Sequence, residues 1–223
     1  MAFTLDSDGD VSILDLGDGE NRLDRDALRA LHRVLDTVEA GPAPRAMVTV
    51  ARGKFWCNGF DQEWMGAHPD ETGLLLDELR VLVGRLTVFP VPTVAGIQGH
   101  AFAAGAMLAL AHDFRVMRED RGYFCLPEID LRRPLSAASV ALVQAKVSPS
   151  ILSDLLIAAR RYGGPDAVAA GLAHATAAGE TVHGAALELA ASLASKDAST
   201  LAVLKARMYG AVVGRLAGGT PEG

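Results

Sequence analysis

The sequence predicts an α/β core followed by a helical C-terminal region, on three observations. Short apolar runs alternate with helical spacing through the first two-thirds of the chain. Two of these runs, Ala46–Ala51 and Thr93–Ile97, are continuous and of strand length, as in strands buried on both faces, and each leads into a glycine-containing turn. After about residue 148 only helical patterns remain. A core over residues 1–148 and a helical lobe over 149–223, serving oligomerisation and pocket closure, are therefore expected.

Taken in order, residues 3–16 alternate around Asp8-Gly9 and predict a hairpin. Leu23, Leu28, Leu31, Val34, Leu35 and Val38 share one helical face, and Gly41-Pro42 ends that helix. The run 46–51 is a strand, the stretch Gly53–Asp61 a turn, and Leu74–Leu86 a helix closed before Pro90. Thr93–Ile97 is a buried strand that opens onto Gly99-His-Ala-Phe-Ala-Ala-Gly105 and a buried helix. Phe114–Met117 and Tyr123–Leu126 read as short strands around a charged turn. Helices are predicted over 136–147, 151–161, 166–170, 182–195 and 200–213.

Composition narrows the function. Of 223 residues, 50% are hydrophobic and the net charge is −6, which supplies a sizeable core and no basic face for nucleic acid. No apolar run approaches the ~20 residues needed to span a bilayer, and the first residues lack the pattern of a signal peptide. Cys57 and Cys125 lie far apart and no Cys/His cluster has metal-ligand spacing, so reduced thiols, no metal and a cytoplasmic location are expected.

The chemistry lies in the two glycine turns. Small residues at 99–105 let a ligand approach the backbone, and the helix start that follows presents unpaired N–H groups and the positive end of its dipole. Gly53-Lys-Phe-Trp-Cys-Asn-Gly-Phe-Asp61 is a second such turn, and two turns can offer one N–H each to an oxygen that becomes negative during a reaction.

These turns resemble the two oxyanion-hole segments of the crotonase (enoyl-CoA hydratase/isomerase) superfamily. The wider set Gly59-Phe-Asp61, His100-Ala101, Ala104-Gly105, Leu108-Ala-Leu110, His112-Asp113, Asp120-Arg-Gly122, Glu128-Ile-Asp130 and Ala141–Val147 is most similar to the plant-type enoyl-CoA Δ3,Δ2-isomerases, over roughly residues 5–175. The resemblance implies a crotonase spiral of ββα units and assembly as a homotrimer or a hexamer. It implies Phe60 and Ala104 as the N–H donors to an acyl-CoA thioester, and Cys57 and Asn58 as backbone contacts to coenzyme A, which is part of the substrate and not a cofactor. Of the two glutamates of the hydratases, the first position matches Met107 and the second Glu128, so one carboxylate remains. One base suffices to move a double bond from C3 to C2, whereas hydration needs a water held between two polar groups.

Glu128, beside Leu126, Pro127 and Ile129, is expected in an apolar setting with a raised pKa. Asp130 is a rival base that would share its face in a regular strand. Where the family usually has a glycine after Leu131, this chain has Arg132-Arg133-Pro134. Those cations could narrow the acyl pocket, pair with a ligand carboxylate or lower the base's pKa. Met107, Trp64 and Arg132 are expected around the pocket. Trp56, Phe55 and Trp64 suit either an acyl tunnel or core packing. Asp61 suits a cap, His100 and His112 suit structural roles, and Lys205 and Arg207 suit a solvated face more than contacts to the phosphates of coenzyme A. Other crotonase reactions, hydration among them, and a non-catalytic acyl-CoA-binding protein are the alternatives. A serine–histidine protease is disfavoured, because Ser136 and Ser139 sit in no glycine turn.

Overall fold

A computed structural model describes residues 3–42 and 45–218; Met1 and Ala2, part of the stretch read for a signal peptide, and the last residues of the expected lobe lie outside them. The chain begins with the expected hairpin, β1 (Thr4–Asp8) and β2 (Val11–Asp15). Its register pairs Asp8 with Val11 across a two-residue turn. Helix α1 (Arg25–Ala40) follows, capped by the Asp24 carboxylate, which accepts from the Ala27 N–H at 2.7 Å. It buries Leu28, Leu31, Leu35 and Val38, the face read from the spacing.

Strand β3 (Ala46–Val50) is buried at every residue. Next come β4 (Phe55–Cys57), α2 (Gln62–Ala67) and α3 (Thr72–Thr87). Strand β5 (Thr93–Ile97) leads into β6 (His100–Phe102) and the wholly buried α4 (Ala104–Ala111). Strands β7 (Phe114–Arg118) and β8 (Phe124–Cys125) and helix α5 (Ala137–Lys146) complete the expected core.

The remainder comprises α6 (Leu152–Leu156), α7 (Gly164–Ala169), β9 (Ala175–Ala177), α8 (Val182–Leu193) and α9 (Ala198–Ala217). Two expectations need correction here. The helix expected over 151–161 stops at Leu156, because Ala159 adopts a left-handed φ of 47° and the chain turns to pair Tyr162 with Phe124. The tail is also not helical throughout: β9 joins the sheet beside β7, and a three-residue strand is too short to show alternation in the sequence.

Two sheets organise the molecule. The larger runs β1-β2-β3-β5-β7-β9, with β1 antiparallel at one edge and the rest parallel. The smaller runs β4-β6-β8, all parallel. Each of β3, β5 and β7 hands the chain to a strand of the small sheet within a few residues, so the segments that leave the neighbouring strands β4, β6 and β8 follow side by side. One face of the large sheet packs Val48, Val50, Val94 and Val116 against Val182, Ala186 and Ala190 of α8. The alanines of α8 thus pack closely on the sheet and make no core of their own.

Candidate active site

Because β4 and β6 lie side by side, the turns that follow them come together. Gly59 has φ +81°, and a Cβ there would lie 3.1 Å from Ala103 Cβ and from Phe102 O and 3.5 Å from Ala104 N. A Cβ on Gly105 would fall 2.3 Å from Cys57 O. Both glycines therefore permit backbone-to-backbone contact that no other residue allows.

Helix α4 starts without a side-chain cap, at Ala103 with φ 50° and ψ −121°. For an alanine that conformation costs on the order of 1–3 kcal/mol. It is held on both sides: Ala103 N–H donates to Cys125 O (3.1 Å), and Met107 N–H donates to Ala103 O (3.0 Å). Among the described residues neither the Phe60 N–H nor the Ala104 N–H has a backbone or side-chain acceptor. Two open amides thus lie on two touching turns, one of them at the positive end of a helix.

Glu128 follows β8 closely. The chain from Pro127 makes one helical turn and stops in a Schellman arrangement: Arg133 N–H donates to Glu128 O (3.0 Å) and Arg132 N–H to Ile129 O (3.2 Å). The left-handed residue that this closure requires is Arg132, with φ 54°. It stands where the resemblance expects glycine. Because the segment is a turn, Asp130 does not share a face with Glu128, as it would in a strand, and is exposed.

Glu128 Oε2 is buried and accepts no hydrogen bond. Burial pushes the carboxyl up from 4.5 to about 7, against a smaller lowering by its own backbone hydrogen bond. The apolar setting expected from the sequence is present, though its sources are Leu126, Leu135, Val140 and Leu156, since Ile129 is half exposed. Glu128 opens into a cleft of about 430 Å³ lined by these leucines and Val140 together with Ile129, Arg132, Arg133 and Pro134, and is the one carboxylate in that lining.

Phe60 and Ala104 are outside the lining of this cleft, yet the Glu128 turn is tied to both of their segments. On one side β8 pairs with β6 immediately before Ala103. On the other, Arg133 Nη1 donates to Gln62 Oε1 (2.9 Å) at the start of α2, just past Phe60. The sequence carried no sign of the ties through Gln62 and Cys125, nor of the strained Ala103. Val140 and Leu156 were visible only as apolar residues of helical segments.

The remaining expected residues are distributed as follows. Arg132 lines the cleft, whereas Met107 is buried in the main core and Trp64 stacks on His68 at 4.5 Å; neither lines it. Cys57 is wholly buried, with its thiol pushed up to about 12, and the Asn58 N–H donates to Glu20 O (2.9 Å). Of these two residues, the Asn58 N–H is therefore already committed within the chain. Trp56 is core, its Nε1–H donating to Thr49 O (3.3 Å). Asp61 caps α2, accepting from Glu63 N and Trp64 N, both at 3.0 Å. His112 is structural: Nδ1–H donates to Leu108 O (2.9 Å), so Nε2 accepts from the Thr49 hydroxyl (2.8 Å). Ser136 caps α5, accepting from the Ser139 N–H.

The solvated face expected for Lys205 is wrong. Its ammonium is buried, pairs with Asp113 Oδ2 at 2.6 Å and donates to Phe89 O and Val91 O (2.8 and 2.9 Å). A lysine within a helical pattern is normally solvated, and only the fold reveals the carboxylate waiting for it.

The enoyl-CoA hydratase/isomerase family model matches residues 12–217. The chain belongs to this family. Enoyl-CoA delta isomerase 2, peroxisomal, of Arabidopsis thaliana is 34% identical over 204 residues, 86% of this chain and 85% of the relative. Enoyl-CoA delta isomerase 3 of the same plant is 32% identical over 217 residues, 92% of this chain and 91% of the relative. Among solved structures, an enoyl-CoA isomerase of Mycobacterium tuberculosis superposes with a TM-score of 0.89 at 23% identity, covering 97% of this chain and 95% of the other. That similarity shows the crotonase fold expected from the two turns.

Proposed function

We propose that this crotonase-family chain is an enoyl-CoA isomerase that moves a double bond from C3 to C2 of an acyl-CoA. The observation that carries the reading is a cleft with one carboxylate, Glu128, whose Oε2 is buried without a hydrogen-bond partner. A carboxylate withdrawn from water, with one oxygen left unpaired, is a stronger base than one in water, which a weakly acidic C2–H demands. In this reading Glu128 takes the proton from C2. The thioester oxygen becomes an enolate oxygen held by the Phe60 and Ala104 N–H groups, and Glu128 returns the proton at C4. Losing one such donor typically costs about 3–4 kcal/mol of transition-state stabilisation.

Hydration is the weaker reading, because Met107 is buried in the core and no second carboxylate lines the cleft to hold a water. The relatives named as delta isomerases support the same choice. Coenzyme A enters as part of the substrate. Assembly as a trimer or hexamer is supported by Val203, Leu204 and Met208 of α9, which are 48–64% exposed and would be covered by another copy. A cytoplasmic location is supported by the free thiols Cys57 and Cys125, although the Arabidopsis relative described above is named as peroxisomal.

Incubation with a 3-enoyl-CoA and with the matching 2-enoyl-CoA in water tests the reading. Interconversion of the two without 3-hydroxyacyl-CoA is expected. Accumulation of 3-hydroxyacyl-CoA as the main product would replace isomerisation with hydration.

A further inference from the structure

Arg132 is an unusual residue for its place. It closes the Schellman turn that carries Glu128, in a left-handed conformation that favours glycine. It lines the cleft that holds the carboxylate. Arg133, beside it, is fastened to Gln62 Oε1 (2.9 Å) and Met65 Sδ (3.7 Å). Among the described residues Arg132 has no ion pair and no side-chain hydrogen bond. The chain thus bears a backbone penalty of about 1–3 kcal/mol at a residue whose exposed, unpaired guanidinium belongs to a cleft lined mainly by apolar residues together with Glu128 and Arg133.

We infer that Arg132 selects enoyl-CoA substrates whose acyl group ends in a carboxylate, by pairing its guanidinium with that group. The inference rests on the isomerase reading of the same cleft. An Arg–carboxylate pair is charge-assisted and often bidentate, which suits a planar terminal carboxylate. Both groups that such an acyl chain would meet belong to one cleft: Glu128 opens the helical turn and Arg132 closes it. The phosphates of coenzyme A are the other available anions. They stand a whole pantetheine arm away from the carbons that Glu128 must reach, so the acyl terminus is the anion that comes to this cleft.

The test compares 3-hexenoyl-CoA with 3-hexenedioyl-CoA, whose acyl group carries the extra carboxylate, on the unaltered protein and on Arg132→Gly. Glycine is at ease in the left-handed conformation, so this variant removes the guanidinium without straining the turn. The unaltered protein is expected to favour the diacid in kcat/KM, and Arg132→Gly to lower the ratio of kcat/KM for the diacid to that for the neutral substrate about tenfold. Equal losses on both substrates would assign Arg132 to the phosphates instead, and no loss on either would make it a bystander; both overturn the inference. If neither substrate is isomerised, the isomerase reading fails separately. Calorimetry with saturated adipyl-CoA and hexanoyl-CoA then decides: tighter binding of adipyl-CoA that disappears in Arg132→Gly upholds the pairing, and equal binding of the two refutes it.

Discussion

Glu128 is held in a state that folding does not favour. A carboxyl raised from 4.5 to about 7 is most at home protonated, so its burial carries no ionisation penalty below about pH 4.5. The penalty grows as pH rises toward 7 and reaches about 3 kcal/mol above it. The same shift makes it a better base. Since the free enzyme must hold Glu128 ionised to accept the C2 proton, kcat/KM for a 3-enoyl-CoA is expected to rise with pH and level off above an apparent pKa of about 7. A pH–rate profile checks this, and a limb near 4.5 would mean that the carboxyl is solvated in the working enzyme. The residue types at this site were readable: Glu128 with Leu126 beside it, and arginine in place of the usual glycine. The left-handed backbone at Arg132 and the strain at Ala103 were not, because nothing in an Ala-Ala-Gly run says which alanine takes φ 50°.

At the scale of elements, the site depends on two strand-to-turn units pressed together. Gly59 and Gly105 are the contact points, and each excludes a side chain for a different reason. Gly59 has a positive φ as well as close neighbours, whereas Gly105 is a helical residue whose missing Cβ leaves room for Cys57 O. Gly105→Ala is therefore expected to preserve helix α4, since alanine is the better helix former, while pushing the two turns apart. A displacement of about 1 Å at a reacting centre can cost on the order of a hundredfold in rate. Isomerase kcat is expected to fall by about that factor with the far-ultraviolet circular dichroism unchanged. Strands β3 and β5 were legible because they are continuous apolar runs. Strands β4, β6 and β9 were not, being three residues each and amid turn signals, where tertiary pairing decides.

Across the whole molecule, α9 is fastened to the core by charge as well as by apolar contact. Lys205 meets Asp113, whose Oδ2 also accepts from Thr93 N–H (2.8 Å) and the Thr93 hydroxyl (3.0 Å), so one carboxylate joins α9 to the start of β5 and the end of α4. Burial lowers the Lys205 pKa and Asp113 partly restores it. Lys205→Met would leave the partly buried Asp113 carboxylate with its Thr93 donors alone, and a loss of about 1–3 kcal/mol in urea unfolding is expected; a loss under about 0.5 kcal/mol would mean that the pair contributes little to stability. The alternation of strands and helices up to α5 was legible from the order of patterns. The burial of Lys205 and the entry of β9 into the large sheet were not, because both depend on partners distant in sequence.

The central claim is that a lone carboxyl, facing an acyl chain whose thioester rests on two amides, moves the proton. Glu128→Gln tests it most directly, since the amide keeps the shape of the side chain and cannot act as a base. The account predicts that the rate of 3-enoyl-CoA isomerisation falls by at least a hundredfold while a saturated acyl-CoA of the same length binds as before. Retention of the rate within threefold would contradict it.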